Sequence, residues 1–253
     1  LFRQEDGTVN HDFVGKLSFS WPANASQTQV NRFDKDYQPL LPYGFGLRYG
    51  DVNVLADDLS VDDETKTTSL QSITLFESAI KAPWKMVISD DDSTSAMTSS
   101  TINNNAVYLR TIDKEVQEDA RRVLFNGTER GQVAFIGRFP ADLTQYVQAN
   151  STLEFTVRLN ESRRVSEPKP VYVSMACGKD CRGNVNISKT LASLTVDKWH
   201  TLNIDLQCFE QKGSTMSNII SPFILSSNAP LKIDFSDVFI KPTSTDAINI
   251  SCI

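Results

Sequence analysis

The chain has 253 residues, 40% of them hydrophobic, with 31 acidic against 25 basic side chains and a formal net charge of -6. That length and apolar fraction suffice for one large core, or for a medium domain with an appendage. The acidic balance, with no stripe of Lys and Arg to neutralise phosphates, argues against a nucleic-acid partner, and no apolar run approaches the roughly 18 residues of a membrane-spanning helix.

Residues 1–50 read differently from the rest. In 15–22 (GKLSFSWP), Leu17, Phe19 and Trp21 alternate with Lys16, Ser18 and Ser20, which predicts a strand with one buried face, ended by Pro22. Residues 38–49 (QPLLPYGFGLRY) follow, with prolines that fix φ and glycines that permit close backbone approach. One strand cannot bury its own face, so this stretch is expected to be the end of a domain whose remainder lies upstream. Residues 51–72 form an acidic segment with few large apolar side chains and no clear period, as expected of a linker.

Beyond the linker, strand-like runs recur at 84–89, 106–109, 121–125, 132–139, 152–159, 171–175, 200–206, 223–226 and 231–240, separated by Gly, Asn, Pro and Ser. Many short strands with turn-rich spacers predict an all-β domain over 73–242, a two-sheet β-sandwich of jelly-roll type, with a tail at 243–253. Helical turns are expected only at 141–148 and 211–218.

Four cysteines, Cys177, Cys181, Cys208 and Cys252, permit three complete pairings. Zinc binding by the CGKDC segment with Cys208 and His200 is the weaker reading, because the C-x2-C spacing is absent. Disulfides would place the chain in an oxidising compartment. No G-x-S-x-G elbow, phosphate-binding loop or nucleophile grouping occurs, and the two histidines are His11 and His200. Six Asn-x-Ser/Thr sequons begin at Asn24, Asn126, Asn150, Asn160, Asn186 and Asn249; they would carry glycans only in a eukaryotic host.

The GKLSFSWP strand followed by the QPLLPYGFGLRY turn resembles the close of the α/β-sandwich domain of family 3 glycoside hydrolases. Tyr43 and Phe45 change the aromatic content of that motif while both glycines stay. The remainder, with Ala82-Pro83-Trp84, the run from Val116 to Arg121, the Cys177-Gly178 turn and the stretch from Trp199 to Phe209, resembles the extra C-terminal galactose-binding-like module of bacterial exo-1,3/1,4-β-glucanases of the ExoP type. Together the resemblances span about 15–242. They imply an accessory module of a periplasmic or extracellular β-glucan exohydrolase active in polysaccharide catabolism, with a remnant of the α/β domain at 1–50. That family's retaining mechanism uses an Asp nucleophile and a Glu acid/base; both are expected upstream, so this chain is expected to be catalytically silent and to need no cofactor. Its expected partners are a β-glucan or oligosaccharide, bound weakly, and the parent's catalytic domains. The alternative is a module that packs on or shields those domains without touching sugar.

Sugar binding calls for an exposed ring against a pyranose face, with polar groups nearby for the hydroxyls. The candidate rings are Trp84, Tyr108, Trp199 and Tyr172, although a tryptophan at the start of a strand more often packs the core. Gln117, Asp119 and Arg121 are the candidate hydroxyl contacts, against the simpler expectation that the carboxylate and guanidinium pair with each other. Asp90-Asp91-Asp92-Ser93 lacks the spacing of a calcium loop. By analogy with carbohydrate-binding jelly rolls, a structural Ca2+ is expected between Glu77 and Asp237, whose hard oxygens suit it.

Overall fold

The computed structural model describes residues 3–23, 27, 30–52, 70–160, 170–178, 180–243 and 246–252. Most of the expected linker and the sequon at Asn24 lie outside them. The chain divides into two compact units, Leu1–Ser69 and Leu70–Ile253.

Among the described residues of the second unit, the strands in chain order are β1 (Ile73–Glu77), β2 (Ala79–Ile80), β3 (Trp84–Ser89), β4 (Thr94–Ala96), β5 (Thr101–Asn103), β6 (Val107–Ile112), β7 (Ala120–Phe125), β8 (Gly131–Gly137), β9 (Ser151–Leu159), β10 (Val171–Ala176), β11 (Arg182–Asn186), β12 (Trp199–Asp205), β13 (Ser221–Ser227), β14 (Leu231–Pro242) and β15 (Ile248–Ile250). Three short helices, α1 (Thr144–Gln148), α2 (Ser188–Ser193) and α3 (Leu206–Gln211), lie between strands. One sheet runs β15-β12-β9-β14-β7-β6-β5, with β1 and β2 added beside β14; the other runs β11-β10-β13-β8-β3-β4. All pairs are antiparallel except β12 with β15.

The period of two explains the layering. On β9, Leu153, Phe155, Val157 and Leu159 are sealed in the core, and Thr152, Glu154, Thr156 and Arg158 take the opposite face. The centre is aromatic: Phe135 meets Phe223 at 5.0 Å between ring centroids, Phe223 meets Phe155 at 5.6 Å, and Phe76 meets Phe235 at 5.8 Å. Each such pair adds about 0.5–1.5 kcal/mol beyond its buried area.

The helical turn expected at 141–148 is α1, but the one at 211–218 is not a single helix. The α3 helix ends at Gln211, Gly213 follows with φ 111°, and only a 3-10 turn forms at Met216–Asn218. Glycine at that left-handed position lets the chain leave the helix without strain. Residues 243–253 are more than a tail: β15 extends the larger sheet, and Cys252 is bonded to Cys208. Cys177 pairs with Cys181, so no thiolate of the four remains for zinc.

In the first unit, the expected strand at 15–22 pairs with the Pro-Gly turn but forms only an isolated bridge between Trp21 and Leu41. The backbone N–H of Leu17 donates to Phe45 O at 2.8 Å, and that of Trp21 donates to Leu41 O at 2.8 Å. Phe19 and Trp21 are exposed rather than buried.

Candidate functional site

Strand pairing sets a row of side chains across the outer face of the larger sheet. Trp199, Arg158, Asp234, Arg122, Arg110 and Thr101 stand directly opposite one another on β12, β9, β14, β7, β6 and β5. Asp234 is fully buried at the middle of it. Its carboxylate accepts from Arg122 Nε at 2.7 Å and Nη2 at 2.9 Å, from Arg158 Nε at 2.9 Å and Nη2 at 2.7 Å, and from Asn160 Nδ2 at 3.2 Å. Burial pushes its pKa up, but the donated hydrogen bonds outweigh burial and hold it below the usual carboxylate value. The Arg158 guanidinium also lies 4.6 Å from the centroid of the Trp199 ring, and the Lys114 ammonium lies 5.6 Å from it. Arg122, Arg158 and Asp234 are spent on one another, and cations from Arg158 and Lys114 already stand at the π system of Trp199.

Tyr108 is different. The residue is 37% exposed, and pairing places Asn103 on one side of it and Leu124 on the other, all on the outer face. A hollow of about 430 Å3 opens there, lined by Asn103, Asn104, Tyr108, Leu124 and Asn126 together with Val107. The Asn104 side chain reads both ways: its Oδ1 accepts the backbone N–H of Ala106 at 3.1 Å and of Val107 at 2.8 Å, while its buried Nδ2 has no hydrogen-bond partner among the described residues. A buried donor left unpaired costs about 1–3 kcal/mol, so an acceptor entering the hollow would relieve it. No charged side chain lines this hollow.

The remaining expected residues do not converge on it. Trp84 is 7% exposed and belongs to the core, with no face open to a ligand. Gln117 is exposed on the loop between β6 and β7. Asp119 is buried and fastens that loop, accepting backbone N–H groups from Lys114 at 2.6 Å, Glu115 at 2.9 Å and Val116 at 3.0 Å. Burial opposes its charge, and these bonds overcome it, so its pKa is lowered. No ion pair joins Asp119 to Arg121 among the described residues: Arg121 donates to Glu118 O at 2.7 Å and Ala120 O at 2.8 Å and lies 4.9 Å from the centroid of Phe76. Tyr172 belongs to the other sheet and lines a second hollow.

Glu77 and Asp237 do not fit a calcium ion. Glu77 is exposed and faces Lys81 at 3.9 Å, while the Lys114 ammonium donates to the Asp237 carboxylate, putting a positive charge where the metal would sit. Among the described residues no group of three or more His, Cys, Asp or Glu side chains comes together.

A family model described as galactose-binding domain-like, that of the ExoP C-terminal domain, matches residues 82–240. The chain belongs to this family. The ExoP C-terminal-like fold recurs in the exo-1,3/1,4-β-glucanase ExoP of a Pseudoalteromonas species, at 22% identity and a TM-score of 0.59, over 97% of this chain. The chain spans 29% of the length of that enzyme. The separate extra C-terminal domain of the same enzyme superposes with a TM-score of 0.57 at 16% identity, over 71% of this chain and 98% of that one. A family 30 carbohydrate-binding module follows at 0.50 and 17%, over 70% and 90%. No curated protein sequence matches significantly. Asn103 and Asn104 of this galactose-binding-like domain were missed by sequence reasoning, because a polar NNN run at a turn carries no periodicity; its juxtaposition with a strand tyrosine was the available signal.

Proposed function

We propose that the chain is a non-catalytic carbohydrate-binding module and that it holds a neutral β-glucan at the Tyr108 hollow. The observation that carries this reading is the exposed Tyr108 beside an Asn104 Nδ2 with no partner among the described residues, in an uncharged hollow of about 430 Å3, within the size range of about 300–1,000 Å3 typical of ligand pockets. The ring offers a surface for the C–H face of a pyranose, and the asparagines offer amide donors and acceptors to its hydroxyls. The absence of charge in the lining suits an uncharged sugar. Likeness of fold to the ExoP C-terminal domain and to a family 30 carbohydrate-binding module supports the class of function. In a longer protein the module would serve a β-glucan exohydrolase outside the cytoplasm, a setting that its two disulfides suit.

Titration calorimetry with laminari- and mixed-linkage β-gluco-oligosaccharides tests this. Tyr108→Ala should weaken binding about tenfold, the equivalent of about 1.4 kcal/mol of ring contact, with an unchanged melting temperature. Undiminished affinity in the variant, or no heat with any glucan, would sink the reading. A second reading, a packing role against the parent's catalytic domains, is favoured by the apolar groove of about 600 Å3 in the first unit, lined by Phe13, Leu17, Trp21, Leu41, Phe45 and Leu47. It expects no response to sugar.

A further inference from the structure

The outer face of the six-stranded sheet carries a polar row that glucan binding at Tyr108 does not use. Pairing sets Asn186, Tyr172, Ser226, Gln132 and Ser89 opposite one another on β11, β10, β13, β8 and β3, so they share one face. Ser226 is 1% exposed, and its Oγ has no hydrogen-bond partner among the described residues. A hollow of about 400 Å3 opens over this face, lined by Arg130, Tyr172, Asn184, Lys212 and Asn228. Asn184 uses its Oδ1 to accept from Ser174 Oγ at 2.8 Å, which leaves its NH2 group for a ligand.

The charge here runs against the rest of the molecule. Arg182 reaches across the sheet to donate Nη2 to Gln132 Oε1 at 2.7 Å, a neutral acceptor that leaves the guanidinium charge uncompensated. Burial, and secondarily the Arg130 charge, lower the Arg182 pKa. Neither arginine nor Lys212 forms an ion pair with a carboxylate among the described residues, and no carboxylate lines the hollow. A chain with a net charge of -6 thus gathers two cations, Arg130 and Lys212, unpaired among the described residues, around one aromatic ring and two amides. Like charges held together in a partly desolvated place repel, and an oxyanion between them removes the repulsion.

We propose that this hollow is a second carbohydrate subsite, specific for a sugar residue that bears an oxyanion, either a uronate carboxylate or a sulfate ester. Arg130 and Lys212 hold the anion, Arg130 by the planar fork that suits such groups. The Tyr172 ring takes the pyranose face, and Asn184 and Asn228 take hydroxyls.

Calorimetry on the full chain carrying Tyr108→Ala separates this site from the first. The probes are an oligoglucuronate, a sulfated laminari-oligosaccharide, its neutral parent and sodium sulfate. One anionic sugar should bind about tenfold or more above the neutral one, weaken steeply between about 50 and about 500 mM NaCl, and lose about tenfold in Arg130→Gln. Lys212→Gln, at an exposed position, gives the same readout should the arginine variant fail to fold. The anionic sugar that binds names the oxyanion. Failure of both, equal affinity for inorganic sulfate alone, or wild-type affinity in the lysine variant overturns the proposal, and none of these results bears on neutral glucan binding by the unsubstituted chain.

Discussion

Asp234 concentrates what a single residue does in this fold. A fully buried carboxylate would be costly alone; here two guanidinium groups and an amide saturate it, and each arginine reaches it from a different strand. Asp234→Ala leaves two arginines facing each other and should cost about 3–5 kcal/mol of stability in urea titration. A loss under about 1 kcal/mol would show that water compensates the arginines. The pH dependence follows from the same contacts. Because the folded pKa lies below the unfolded value of about 3.9, the stabilisation is present above that value and drains away as pH falls through the lower, folded one. Acid unfolding of the parent chain should therefore be steeper there than that of Asp234→Asn. None of this was legible locally. Arg122, Arg158 and Asp234 lie 76 and 112 positions apart in the hydrogen-bonded pairs, and only strand register makes them a row.

The elements differ in how far local pattern announces them. Strands with full apolar alternation, such as β9, read directly from the chain. In contrast, β11 (RGNVN) hides, since only Val185 among its side chains is a buried hydrophobe and Gly183 is there to be small: a Cβ would overlap the carbonyl of Phe209 on α3. The α3 helix is seated by that glycine, by the Asp205 side chain accepting Gln207 N at 2.8 Å, and by the bond from Cys208 to Cys252 beyond β15. The pairing of the cysteines makes an element-level prediction. Closing a separation of 44 residues constrains the unfolded chain by about 4 kcal/mol, and one of 4 residues by about 2 kcal/mol. Cys208→Ser/Cys252→Ser should accordingly lower stability more than Cys177→Ser/Cys181→Ser in urea unfolding. The reverse order would mean that the CGKDC turn holds more than its own shape.

At the scale of the whole molecule, the galactose-binding-like domain is closed by internal charges where a metal was expected. Lys114 bridges the β6–β7 loop to Asp237, whose left-handed φ of 51° lies in the β14 bulge. An ammonium already meets that carboxylate, so the melting temperature should be unmoved by chelator or by millimolar calcium. A rise with calcium, following the logarithm of its concentration, would refute the internal cation. The all-β sandwich and its strongly alternating strands were determined by the sequence alone, because alternation of apolar side chains is a local property that any core-facing strand must obey. Which ring stays open was decided only in three dimensions. Trp84 and Trp199 read no differently from Tyr108 along the chain; one is sealed between sheets and the other is covered by cations from Arg158 and Lys114. Burial and register depend on residues far away in sequence, and those distant partners also assemble the Asn104 hollow and the cationic one beside Tyr172.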